Sequence, residues 1–458
     1  MTLPAREKPC TSASIITMKT LSTRDIISLG CMAFALFMGA GNIIFPPIIG
    51  LHSGENILYS GSGFLISAVG LPVVTIVALA RVGGKMNQLS EHLGPVTGLI
   101  LALVCYLCLG PLFVVPRTTT VSFEVGISPL IGNDGHQLAI YSLIYFTLVY
   151  LFSLYPGKLL DLIGGVLAPI KIVALIILGA SAFFVVWHYH LGSVSEAYHS
   201  HPFSNGFVSG YLTMDTLSAL VFGGVIVNAI HSRGVSESTL ITRYTIIAGL
   251  IAGSGLILVY IALFRLGLVS YEFVPDASNG AEVLHAFVQH TFGETGSLFL
   301  ALLIFIACLV TAIGLTSACA SWFSNLIPLS YKTMVLVIAV LSFGISNLGL
   351  TRLITVSVPL LTAVYPPCIA IVLLSFTTSW WKNPARVFAP VVAVACVFGL
   401  VDGIIASPLN GMLNQVPSQL LKPLPLFSQS LEWLLPCAAV LVIASVIDGK
   451  KRQEAYED

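Results

Sequence analysis

The residues able to do chemistry in this chain are few and stand inside long apolar stretches. GAGNIIFPP (39–47) puts two glycines, an asparagine and two prolines into an uncharged run from Ile26 to Leu51. Glycine favours non-helical backbone and proline removes donors, so a helix crossing here is expected to unwind near Gly41-Asn42. Unwinding leaves free carbonyls at the end of the first half and free amides, at the positive dipole end, at the start of the second. The carbonyls suit a cation and the amides a carboxylate, so an amino-acid zwitterion and a sodium ion fit together at the break. A second glycine pair, Gly223-Gly224 within 211–230, predicts another break at comparable depth. Close helix packing is the competing explanation for that pair, as it is for Gly249 and Gly253.

Three charged residues lie inside apolar stretches: Lys171, Asp215 and Asp402. A charge at mid-membrane costs several kcal/mol unless paired or hydrated, so each is a functional candidate. Lys171, in APIKIVALII, is a possible coupling charge as a proton carrier or a rival to sodium, against snorkelling or pairing with a carboxylate. Asp215, about two turns before Gly223, is placed to attract a cation or a substrate ammonium, against a cap or ion pair. Asp402 is expected to be structural. Phe37, Phe45, Phe222 and Val225 offer an apolar pocket and no charge for a charged side chain, which favours aliphatic substrates. At about 0.8 kcal/mol per methylene, shape separates leucine from alanine well and valine from isoleucine weakly. Cys105-Tyr-Leu-Cys108 has redox or metal spacing but no partner cluster, and reads as packing. His188, His190, His199 and His201 read as a solvated loop rather than a metal site.

These groups need a scaffold that crosses a bilayer many times. Of 458 residues 56% are hydrophobic and 9% charged, with net charge zero, which excludes an ordinary soluble protein and gives no footprint for nucleic acid. Apolar windows predict an all-α integral membrane protein of about 12 transmembrane helices, near 26–51, 61–80, 95–115, 138–154, 162–187, 209–230, 244–264, 297–322, 333–350, 353–377, 387–408 and 430–447. Fifteen of the 20 lysines and arginines fall on the side that carries both termini, so the termini are expected to be cytoplasmic; Arg117, Arg265, Arg352 and Lys422 fall on the other side. The two breaks lie five spans apart and so run in opposite directions, as in an inverted five-plus-five repeat with broken helices 1 and 6. The organisation read from this is a cytoplasmic segment 1–25, repeats 26–187 and 209–377, two additional C-terminal helices in 387–447, and a cytoplasmic tail 448–458. Ala281, Leu284, Phe287 and Val288 recur at helical spacing and predict an amphipathic helix over 279–293, lying across the outer mouth. No nucleotide loop, HExxH or nucleophile-and-base motif stands in convincing context, so an enzyme is not expected. No obligatory protein partner is implied.

Several blocks in order, GAGNIIFPP (39–47), PRTTTVSFEVG (116–126), SLYPGKLLD (153–161), YLTMDTL (211–217), FIACLVTAIGLTSACA (305–320) and YPPCIA (365–370), resemble the bacterial branched-chain amino acid:cation symporter family. The resemblance implies uptake of leucine, isoleucine and valine across the bacterial plasma membrane, driven by a cation gradient, with sodium the expected coupling ion, protons the alternative, and no other cofactor. More distantly the chain looks like the leucine-transporter fold of the amino acid-polyamine-organocation superfamily. That resemblance implies a sodium site from the Ala35, Met38 and Ile313 carbonyls with the Thr316 and Ser317 hydroxyls. It also implies a substrate site at Ala40, Gly41, Asn42, Phe222, Gly223 and Gly224. It gives Thr311 no role. In some proton-coupled relatives a lysine stands in for the ion, which points again to Lys171. A nontransporting amino-acid sensor of the same fold is the alternative of another class.

Overall fold

The computed structural model describes residues 20–84, 86–132, 134–155, 168–184, 192–413 and 415–457. Helix is the regular structure of these residues, with no strand among them, as hydrocarbon demands of chains that must satisfy their own backbone. Eight helical stretches are long and apolar enough to cross a membrane, and three shorter apolar helices accompany them. The first apolar stretch is α1 (Thr23–Phe37) and α2 (Ala40–Ser53), followed by α3 (Ile57–Leu65) and α4 (Leu71–Arg81). Then come α5 (Pro95–Leu107), α6 (Val114–Ser122), α7 (Gly135–Ser153) and α8 (Ala168–Phe184). The second half holds α9 (Pro202–Tyr211), α10 (Asp215–Ser232), α11 (Ser238–Ser270), α12 (Gly280–Leu326), α13 (Tyr331–Ser346) and α14 (Leu350–Ser375). Two further long helices are α15 (Ala385–Ile405) and α16 (Leu434–Glu457). His188 and His190, the first residues of the fifth expected span and most of the N-terminal segment lie outside the described residues.

The first helix is interrupted, three residues earlier than expected. α1 ends at Phe37, Met38 turns to ψ 76°, Gly39 is extended at φ −102° and ψ −161°, and α2 starts at Ala40. Pro46 and Pro47 are therefore not at the half-helix start but well inside α2. They withdraw the amides that would reach the Asn42 and Ile43 carbonyls.

The second interruption is not at Gly223-Gly224. α10 runs unbroken from Asp215 to Ser232, and the chain opens instead at Leu212–Met214, where Met214 takes a left-handed φ of 63°. The glycine pair serves packing. A Cβ on Gly223 would lie 2.7 Å from Leu79 Cδ1, and one on Gly224 3.0 Å from the Gly84 carbonyl. The half-helix before the break, α9, starts at Pro202, ahead of the expected boundary at 209. Its sequence PFSNGFVSGY is too small and polar to read as membrane helix because it touches α3 backbone to backbone. A Cβ on Gly206 would sit 1.9 Å from the Ser60 carbonyl, and one on Gly63 2.0 Å from that of Phe203.

Other expectations hold. Asn279 caps the start of α12, accepting from the amides of Ala281 and Glu282 at 2.9 and 3.1 Å. Ala281, Leu284, Phe287 and Val288 are buried on that first segment, and Gly293, at φ 66°, bends it away from the rest of α12. Gly249 and Gly253 pack on Ile76 and Val73 of α4. The close approach of α13 and α14 is a turn over 347–349 with Gly349 at φ 80°.

A close backbone-to-backbone contact also joins α2 and α11, where a Cβ on Gly267 would lie 2.0 Å from the Pro47 carbonyl and one on Gly50 2.2 Å from that of Phe264. Backbone cannot yield as a side chain can. Gly267→Val is expected to cost at least about 1–3 kcal/mol, the usual cost of overpacking, read as a lower thermal midpoint of the purified full chain in detergent. Gly344→Val, where nothing lies within 4 Å, is the comparison. Equal midpoints for the two variants would show that this contact does not hold α2 in place.

Candidate functional site

The two interruptions face each other. A Cβ on Gly41 would come within 3.1 Å of Thr213 Cα and 3.2 Å of the Leu212 carbonyl, so a side chain there would press the two openings apart. Between them is a cavity lined by Phe37, Gly39, Ala40, Gly41, Asn42, Val114, Arg117, Thr213, Met214, Asp215, Ser218 and Thr311. It is narrow, with room for about one water molecule. Ala40, Gly41, Asn42 and Asp215 thus share one void. Phe222, Gly223 and Gly224 do not line it. The Phe222 ring meets Phe37 edge-on at 5.5 Å and so stands behind the cavity wall, while the two glycines face α4 and the turn after it.

Asn42 bridges the openings. Its Oδ1 accepts from the Gly39 amide at 3.0 Å, capping α2. That bond assigns the amide orientation, so Nδ2 is the donor on the other side. It donates to Asp215 Oδ2 at 2.5 Å and to the Tyr260 hydroxyl of α11. Tyr260 in turn donates to the same Oδ2 at 3.0 Å. Asp215 is the first residue of α10 rather than two turns ahead of a break. A carboxylate there lies at the positive end of the helix dipole.

Lys171 of α8 is fully buried, does not snorkel, and meets no carboxylate among the described residues. Its Nζ donates to the carbonyls of Ala35 (2.9 Å), Met38 and Ala307 (3.3 Å). Three acceptors match the three protons of an ammonium, and the charge sits at the negative C-terminal end of α1. Two of the five oxygens expected to hold sodium are thereby engaged by a side chain.

The remaining three lie elsewhere. α12 is level with the break at Ala307 and Thr311: Thr311 Oγ1 donates to the Leu36 carbonyl at 3.1 Å or to Ala307 at 3.3 Å, and Thr311 Cγ2 is 3.1 Å from where a Gly39 Cβ would be. At about 1.5 Å per residue, Thr316 is 7–8 Å further along the axis than Thr311. The residue given no role is the one at the break, because the aligned motif falls too far along α12. Thr316 Oγ1 and Ser317 Oγ are buried with no hydrogen-bond partner among the described residues.

Arg117 is the largest departure. Counted from the sequence among the charges outside the membrane, it is 2% exposed in α6 and lines the cavity. Its Nη1 donates to the Leu212 carbonyl at 2.9 Å, closing the end of α9, and its guanidinium lies over the Phe45 ring at 4.6 Å. Nε and Nη2 are buried with no hydrogen-bond partner among the described residues. The signal was an arginine in VVPRTTTVS directly behind an apolar run, with no acidic neighbour. The other singled-out groups stay apart. The Cys105 thiol faces Cys368 at 3.6 Å rather than Cys108. His201 meets Ser428 at 3.4 Å, and no group of three or more metal-ligating side chains forms among the described residues. Asp402 is buried beside Glu432, away from the cavity.

Residues 22–451 match the family model described as branched-chain amino acid transport protein. The chain is 58% identical over 431 residues to the branched-chain amino acid permease BrnQ of Escherichia coli (strain K12), covering 93% of this chain and 96% of that protein. It is 57% identical over 442 residues to the branched-chain amino acid transport system 3 carrier protein of Pseudomonas aeruginosa, covering 96% and 100%. Among solved structures it resembles MhsT in complex with L-phenylalanine, with a TM-score of 0.53, 14% identity and coverage of 85% and 98%. Mhp1, a nucleobase-cation-symport-1 family transporter, gives 0.52 at 14% identity, covering 89% and 95%. At that identity the likeness is one of fold, and it is the leucine-transporter fold.

Asn42→Ala removes the cap on Gly39 and the donor shared by Asp215 and Tyr260. The expected cost is about 1–3 kcal/mol, seen as a fall of several degrees in the thermal midpoint of the full chain in detergent. A midpoint within error of the unmodified protein would remove Asn42 from its bridging role.

Proposed function

The chain belongs to the branched-chain amino acid transport protein family, and from that premise we propose that it takes up leucine, isoleucine and valine together with a proton carried by Lys171. It is a multi-pass membrane transport protein and not an enzyme. On our reading it sits in a bacterial plasma membrane with both termini cytoplasmic, and its two inverted halves rock about the double break.

The observation that carries the coupling is the Lys171 ammonium on the carbonyls of Ala35, Met38 and Ala307. It supplies at the end of α1 the single positive charge expected of sodium. A sodium ion on the same carbonyls would face a like charge at contact distance, with little water to screen it. Cation and substrate then share one structural element. The lysine ties the last turn of α1 to α12, and the cavity opens at the first residues of α2, so occupancy of one biases the position of the other. Phe37, Val114 and Met214 on the cavity wall supply an apolar side for an aliphatic substrate. The walls must part to admit it, as alternating access requires.

A second reading, sodium symport, draws support from the unpartnered hydroxyls of Thr316 and Ser317. Its cation would lie along α12 from the break rather than at it.

Labelled leucine in vesicles containing the full chain, with pH and sodium gradients imposed separately, separates the readings. We expect accumulation with an inward proton gradient alone, and loss of accumulation in Lys171→Ala. Accumulation driven by sodium at uniform pH, and lost in the Thr316→Ala, Ser317→Ala double variant, would reverse the choice of ion. Binding of leucine without accumulation under either gradient would make the protein a sensor.

A further inference from the structure

We propose that Arg117 and Asp215 are the two poles of the substrate site: Nε and Nη2 of the guanidinium take the α-carboxylate, and the Asp215 carboxylate takes the α-ammonium. This rests on the transport reading for the identity of the amino acid and adds which side chains read its head group.

Arg117 is divided by its contacts. Nη1 is committed to the Leu212 carbonyl at 2.9 Å. Nε and Nη2, the edge of the fork that matches the two oxygens of a carboxylate, are buried without a partner among the described residues. The Phe45 ring under the guanidinium, at 4.6 Å, sets its plane. A buried cation with two orphaned donors in a cavity wall is costly unless a partner of opposite charge arrives. Holding the Leu212 carbonyl alone would use one donor and would leave two more unused on a residue that lines the void.

Asp215 is held by neutral side chains. The Asn42 amide at 2.5 Å and the Tyr260 hydroxyl at 3.0 Å both converge on Oδ2, and the residue lines the same cavity. Neither of these partners carries a charge. The void therefore presents a guanidinium and a carboxylate, each hydrogen-bonded by neutral groups and each feeling the charge of the other. A zwitterion is the ligand that neutralises both without adding net charge, and its aliphatic side chain is left to Phe37, Val114 and Met214. A carboxylic acid alone or an amine alone would leave one pole unpaired. The free amides at the start of α2, from which the carboxylate site was expected, are partly spent: the Gly39 amide is held by Asn42.

The test is binding to the purified full chain in detergent, with labelled L-leucine displaced by L-leucine, L-leucinamide or 4-methylpentanoate. Leucinamide keeps the ammonium and side chain and loses the carboxylate charge; 4-methylpentanoate keeps the carboxylate and loses the ammonium. In the unmodified protein leucine is expected to bind at least about 30-fold more tightly than either, roughly 2 kcal/mol. In Arg117→Gln leucine falls to the level of leucinamide while leucinamide changes by less than about threefold. In Asp215→Asn leucine falls toward 4-methylpentanoate, whose own binding is little changed. If Arg117→Gln does not fold, Arg117→Lys replaces it: a point charge cannot pair as a fork, so leucine weakens by about tenfold and leucinamide does not. Leucine affinity unchanged in an Arg117 variant, or leucine and leucinamide weakened alike, overturns the assignment, the latter because a purely structural arginine would do that. Normal leucine uptake alongside such a result leaves the transport reading standing. Failure of the unmodified protein to bind leucine at all removes both.

Discussion

A backbone opened inside hydrocarbon must be satisfied by something other than water, and the centre of this protein is organised by that need. Two openings meet there, at Met38–Gly39 and at Leu212–Met214. Each opening leaves a helix C-terminal end with free carbonyls. A cation from another helix meets each: Lys171 from α8 at the end of α1, Arg117 from α6 at the end of α9. Each opening also starts a new helix, and a polar side chain stands there, Asn42 in the first turn of α2 and Asp215 at the start of α10. Charges that would be prohibitive in lipid are retained because they complete the backbone.

Such a centre works only if its parts are held within ångströms. The holding is done by helices that touch through glycine. α2 lies on α11 through Gly50 and Gly267, α9 on α3 through Gly206 and Gly63, and the openings meet at Gly41. Tyr260 reaches the centre from α11 because that helix lies against α2. In lipid, where apolar burial gives no advantage to one helix over another, close backbone packing is a main source of specificity. The same small residues that fix the geometry lower the apolar signal of the segments that carry them.

That explains which features could be read from the chain alone. The opening in the first span was legible because glycine, asparagine and proline inside an uncharged run have few other uses in a membrane. Lys171 was legible as a misplaced charge. The opening in the sixth span was not, because α9 owes its helical state to contact with α3, and its composition of serine, glycine and asparagine looks like a loop. Gly223 and Gly224 misled for the converse reason: glycine marks close packing as readily as unwinding, and Leu79 against Gly223 decides between them only in three dimensions. Thr311 and Thr316 are alike in sequence context, and the register of α12 against α1 chooses Thr311.

The class of the protein, its all-helical membrane character, the first interruption and the presence of buried charge were legible in the chain alone, because each follows from local composition weighed against the cost of polar groups in lipid. Tertiary structure alone decided where the second chain opening falls and which carbonyls Lys171 holds. It alone brought Arg117 from an apparent loop into the cavity wall. Those outcomes depend on contacts between residues up to about 140 positions apart, such as Lys171 with Ala35. A contact of that kind carries no local signature, since its energy exists only once both helices are in place.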